Sequence, residues 1–260
     1  MSSKLSIDVL QMILENVDIA DLTAACQVNK VCCSCAQDIL YRNIFVHTDH
    51  RLQVCQTLAQ STHLARRVRS FVVTAKEYHS REVMAEALRN MFSLRSLFLH
   101  SQRTNVLVGC HFRLDSFTFH CRYDKRLKKF LNNQQSLTHL ELLGSYTSSN
   151  VIIEFKASCL PNLTRVTTWF SWLPLIIPGR PVSEVNAYFD AYEEPINLDF
   201  FTRSTAPIRR LSISYCYLQS TPEQRLASIF PSLVHLTIRM DIYGHVAVRA
   251  PFFNFLDIRY

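Results

Sequence analysis

Residues 137–142 read Leu137-Thr138-His139-Leu140-Glu141-Leu142. An apolar residue is followed three positions later by a second, and two positions after that by a third. The last two lie two apart, so in an extended chain they point to the same face, and the residues between and around them point to the other. The same pattern recurs on both sides. Val68-Phe71-Val73, Leu94-Leu97-Leu99 and Leu114-Phe117-Phe119 precede it; Leu163-Val166-Thr168, Val182-Val185-Ala187, Ile208-Leu211-Ile213, Leu233-Leu236-Ile238 and Phe253-Leu256-Ile258 follow. Successive copies start 26, 20, 23, 26, 19, 26, 25 and 20 residues apart. Nine registered copies exceed what a 48% hydrophobic composition scatters at random. The copy ending in Ala187 is the weakest.

This spacing resembles that of leucine-rich repeats, whose period is about 20–29 residues. The asparagine usual after the strand is mostly missing, so the repeats are irregular. Between strands the pattern turns helical. Val83, Met84, Ala87, Leu88 and Met91 share helical spacing within 81–91. Within 124–132, Leu127, Phe130 and Leu131 oppose Lys125, Arg126, Lys128 and Lys129. Residues 221–230 open Thr-Pro-Glu, a helix start. The expectation is an α/β solenoid of parallel strands on a concave face, one continuous core being shared between neighbouring units.

Composition removes several function classes. The four glycines are isolated, so no Gly-rich phosphate cradle is possible. No apolar run reaches membrane-spanning length, and Asp8, Glu15 and Asp18 argue against a leader peptide. Nine irregularly spaced cysteines suit a reducing compartment, with the cytoplasm or nucleus expected. Cys26, Cys32, Cys33 and Cys35 do not have paired metal-ligand spacing, and neither a metal, a cofactor nor intrinsic catalysis is expected.

The first 46 residues fit no repeat. Val9, Leu10, Ile13, Leu14 and Val17 form a helical stripe capped by Ser6; a second short helix follows Asp18, and Asn29 caps a third that buries Val31, Cys35, Ala36, Ile39 and Leu40. Three helices this short bury too little surface to stand alone. The run Leu5-Ser6-Ile7-Asp8-Val9-Leu10, with Ile13-Leu14, Asp21-Leu22, Val28-Asn29-Lys30, Ala36 and Leu40-Tyr41-Arg42-Asn43-Ile44, resembles an F-box. Ser6 stands where that family usually has Pro, and Cys32 where Trp is frequent. The resemblance implies residues 1–46 as F-box and 47–260 as a leucine-rich-repeat array of about nine to ten units. It also implies a non-catalytic substrate-recognition subunit of an SCF-type ubiquitin ligase. Leu5, Ile7, Val9, Leu10, Ile13, Leu14, Val28 and Lys30 would then face a Skp-family adaptor, and through it a cullin, as apolar anchors in a groove. Part of that set must instead pack the helices together. Tyr41-Ile44-Val46 also fits the strand pattern and would join the F-box rigidly to the array, with 50–59 as the first connecting helix.

The repeat register places Phe98, His100, His120, His139, Arg165, Trp169, Tyr188, Arg210 and Arg239 on the concave face. Aromatic and arginine side chains dominate binding hot spots, and the surplus of cations there fits an acidic or phosphorylated protein substrate centred on Trp169 and Arg210. The formal charge of +7 raises an alternative, a repeat scaffold or nucleic-acid binder whose helical block is only a cap. The cations are scattered, which disfavours nucleic acid. The segment 190–199 is locally acidic and is expected to form a long loop. The chain stops at Ile258-Arg259-Tyr260, within a strand pattern, so the expectation is an array cut short or an end that pairs with another surface.

Overall fold

The computed structural model describes residues 5–46, 51–74, 81–100, 103–120, 124–144, 155–156, 158–188, 197–214 and 223–239. The strand pattern at 253–258 and the Thr221-Pro222 helix start lie outside these residues, as does most of the segment 190–199. The chain divides into two compact units, 1–114 and 115–260.

The first unit opens with α1 (Ile7–Leu14), α2 (Ile19–Ala25) and α3 (Lys30–Leu40). Ser6 Oγ accepts from the Val9 amide at 3.3 Å, and Asn29 Oδ1 accepts from Val31 and Cys32, both at 2.9 Å. Both expected caps therefore form. Asp18 occupies the cap position of α2 without a side-chain bond. Leu14, Leu22, Cys35 and Ala36 make the core of the three helices, and Leu10, Val17, Ile39 and Leu40 pack against it. There follow β1 (Asn43–Val46), α4 (Arg51–Gln60), α5 (Thr62–Ala65), β2 (Ser70–Val73), α6 (Arg81–Asn90) and β3 (Ser96–Leu99). The strands pair in parallel in chain order, Ile44 beside Phe71 and Phe71 beside Leu97. The helical block is tied to this sheet. Arg42 pairs with Glu15 at 2.9 Å, and Arg67 bonds Asp38 and the Ser34 carbonyl.

The second unit carries β4 (Ser116–Phe119), α7 (Lys125–Asn132), β5 (His139–Leu142), β6 (Arg165–Trp169), α8 (Leu173–Ile176), β7 (Glu184–Tyr188), β8 (Arg210–Ser214), α9 (Glu223–Ile229) and β9 (His235–Arg239). Its six strands are parallel and adjacent in chain order. In β4–β8 the inward apolar positions read from the sequence are buried: Phe117, Phe119, Leu140, Leu142, Val166, Val185, Ala187, Leu211 and Ile213; in β9, Leu236 and Ile238 are only partly buried. Thr168 takes an inward position because its hydroxyl donates to the Leu142 carbonyl at 3.0 Å, which satisfies the one polar group. Ala187, in the weakest copy, still lies in a full strand, since β6 and β8 supply the ladder on either side. Two of the short spacings carry 3-10 turns, Thr104–Leu107 and Phe170–Trp172, the second running directly into the one-turn α8.

A backbone repeat accompanies the side-chain one. The Arg42 carbonyl accepts from both Arg69 and Ser70 amides, and the Arg69 carbonyl from both Arg95 and Ser96. The same forked bond recurs from Asp115 to 138 and 139, Thr138 to 164 and 165, Thr164 to 183 and 184, Ser183 to 209 and 210, and Arg209 to 234 and 235. Within each unit it sets the register of a strand on the one before it, whatever side chains the repeat carries.

Candidate functional site

Alternation places one face of each strand inward and leaves the other open. In the second unit this open face carries side chains in rows, because paired residues of parallel strands lie about 4.8 Å apart. One row runs His139, Arg165, Glu184, Arg210, His235. The next runs Thr118, Glu141, Thr167, Asn186, Ser212, Thr237. Beyond these Trp169 stands beside Tyr188, and Arg239 beside Ser214.

Over β6–β9 these rows line a groove of about 490 Å³, with Arg165, Arg210 and Arg239 at its cations and Glu184 as the one acid among its lining residues. Arg165 Nε meets Glu184 Oε2 at 2.8 Å, so that cation is already matched. Arg239 lies 4.5 Å from the centre of the Tyr188 ring and donates to the Ala187 carbonyl. The Tyr188 and Trp169 ring centres are 6.0 Å apart, tilted by 59°. An arginine, a tyrosine and a tryptophan thus form one continuous cluster of cation–π and ring contacts. Arg210 is exposed, and among the described residues its guanidinium makes no hydrogen bond or ion pair.

Two polar atoms of this face are buried without a partner, Asn186 Oδ1 and Trp169 Nε1. His139 is held below the ordinary histidine range, first by burial and then by the Arg165 charge, with Glu184 opposing. Its Nδ1 lies 2.7 Å from the Thr138 hydroxyl.

Of the substrate-face residues read from the sequence, Arg165, Arg210 and Arg239 line the groove, Trp169 and Tyr188 form the aromatic cluster, and His139 borders Arg165. His120 follows β4, and Phe98 and His100 belong to the first unit, on and just after β3. The strand register also sets Glu184 and Asn186 on this face, level with Arg165 and Thr167, and both line the groove.

The adaptor-face residues separate into two groups. Leu14 is 6% exposed and sits in the three-helix core, with Leu10 packed against it. Leu5, Ile7, Val9, Ile13, Val28 and Lys30 are exposed, as are Met12 and Ile19; Val31, expected inside the third helix, is also exposed because it stands at the start of α3, outside the core made by Cys35 and Ala36. On α1 interior Leu10 and Leu14 interleave with exposed Ile7, Val9, Met12 and Ile13, and periodicity alone does not separate them.

No group of His, Cys, Asp or Glu side chains among the described residues has metal-binding proximity. Among them, no helix is long and apolar enough to cross a membrane. Comparison with known proteins finds no family pattern that matches the chain and no curated protein similar to it.

Proposed function

We propose that this chain is a substrate-recognition subunit of an SCF-type ubiquitin ligase, an F-box joined to an irregular leucine-rich-repeat solenoid. The F-box would bind a Skp-family adaptor and, through it, a cullin. The open sheet face would hold an acidic or phosphorylated protein substrate. The observation that carries the reading is the apolar surface of α1–α3. Their core is complete with Leu14, Leu22, Cys35 and Ala36, yet Ile7, Met12, Ile13, Ile19 and Val28 stay between 50% and 75% exposed. Five large apolar side chains left exposed on so short a block fit an interaction surface. The ties from Arg42 to Glu15 and from Arg67 to Asp38 suit a receptor that must hold its cargo at a fixed reach.

The test is co-purification with a Skp-family adaptor, comparing wild type with Ile13→Asp/Val28→Asp. Both positions are exposed, so the double variant should fold and lose the adaptor. Leu10 and Leu14 are unsuitable, because charge there would break the helical core. If folded wild type does not bind, the helices are a cap and the chain is a repeat scaffold. Salt-sensitive retention on nucleic acid would then favour the basic-binder alternative.

A further inference from the structure

We propose that the groove over β6–β9 takes an extended, acidic peptide segment, its main chain held by Asn186 and Trp169 and one carboxylate by Arg210. This rests on the reading of the open sheet face as the substrate surface.

The charges select the anion's position. Arg165 is matched by Glu184, and Arg239 is engaged with the Tyr188 ring and the Ala187 carbonyl. Arg210 is the groove cation without a protein partner among the described residues. A planar guanidinium binds a carboxylate through two parallel bonds, so an acidic side chain is placed on β8 rather than spread along the face.

The unpartnered atoms select a peptide. Asn186 offers an acceptor and Trp169 a donor. A phosphodiester backbone carries acceptors only, so it matches the Trp169 N–H but not the Asn186 oxygen as placed. A peptide carries both an N–H and a C=O in every unit. The spacing also fits. Trp169 pairs with Tyr188, two residues along β7 from Asn186. That is a separation of roughly 6.7 Å along the strands, which is the distance between residues i and i+2 of an extended chain. Both side chains are half-buried, Asn186 in the groove lining and Trp169 beside it, and peptide binding requires each to turn its polar atom toward the bound segment. Burying a polar group without a partner is unfavourable, and peptide binding removes that cost at both positions. The Trp169–Tyr188 pair beyond Asn186 then receives an apolar or aromatic residue of the same segment.

The experiment pans a pool of short degenerate peptides against wild type, Arg210→Glu, Asn186→Leu and Arg126→Glu. Arg126 is exposed on α7, outside the groove, and its reversal makes the same charge change as that of Arg210. Retained sequences are read, and the best peptide is remade with each main-chain nitrogen methylated in turn. Peptides retained by wild type and by Arg126→Glu should carry Asp or Glu at one position. Arg210→Glu and Asn186→Leu should each weaken binding at least about tenfold, and methylation at one nitrogen should do the same. The proposal is overturned if wild type retains nothing beyond Arg210→Glu, if the retained sequences are not acidic, if methylation has no effect, or if an oligonucleotide of equal charge competes. Thermal melts by circular dichroism establish that each variant is folded. Adaptor binding is scored on the same preparations. Adaptor without peptide overturns this inference alone, and peptide without adaptor overturns the ligase reading alone.

Discussion

Replacing Arg180 with Met should be among the most damaging single changes in the second unit. Arg180 is 1% exposed. Its Nε donates to the Cys159 carbonyl at 2.8 Å, its Nη1 to Ile176 at 2.7 Å and Pro178 at 2.9 Å, and its Nη2 to Lys156 at 2.8 Å. The guanidinium also lies 5.7 Å from the centre of the Phe155 ring. One side chain therefore ties the segment before β6 to the end of α8, using carbonyls that no helix or sheet satisfies. Methionine keeps the apolar stem and removes every donor. The carbonyls of Cys159 and Ile176 are then buried and unpaired, at about 1–3 kcal/mol each; that of Lys156 keeps the Cys159 amide as a donor and that of Pro178 is part-buried, so both cost less. The sum is about 4 kcal/mol, which for a chain of this size lowers Tm by roughly 8–16 °C. Arg180→Lys should cost about half as much, because an ammonium retains charge and three donors but not the planar fork. Thermal and urea unfolding followed by circular dichroism read both variants. An Arg180→Met protein within about 1 kcal/mol of wild type would show that these carbonyls are hydrated in solution, and the reasoning would fail.

Three further outcomes are expected. His139 is held low by burial and by Arg165, so its neutral form is favoured in the folded state, while the unfolded chain takes up a proton near the ordinary value of 6.5. Stability should therefore fall as pH drops through that value, and His139→Gln should flatten the dependence of urea midpoint on pH relative to wild type. Burial pushes the Cys110 thiol up to about 12 against the opposing charge of Arg89, so iodoacetamide at mildly alkaline pH should leave it unmodified until the protein unfolds, as read by peptide mass spectrometry. Asn29→Ala removes two capping bonds from α3 and should cost about 1 kcal/mol in unfolding experiments, whereas Asp18→Ala, which breaks no side-chain bond, should cost less.

The strand register was legible in the sequence because it is local. Leu137, Leu140 and Leu142 lie within six residues, and alternation forces the last two inward wherever the strand sits. The three N-terminal helices and their caps at Ser6 and Asn29 were legible for the same reason. Which face of α1 is interior was not. Leu10, Ile13 and Leu14 are equivalent by periodicity, and only the approach of α2 and α3 buries Leu14 and leaves Ile13 out. The cations of the open face could be named one by one, but their state could not. Glu184, 19 positions along the chain from Arg165, stands on β7 between Arg165 and Arg210, and its carboxylate bonds Arg165; on its other side Arg210 meets His235 of β9 and no acid. Arg180, in a Pro-Gly-Arg stretch that reads as a surface loop, is buried because the tertiary fold converges four carbonyls on it. Periodic burial follows from chain geometry and is written in the sequence. The pairing of charges and the satisfaction of polar groups depend on which distant residues arrive at a given point, and only the folded chain decides that.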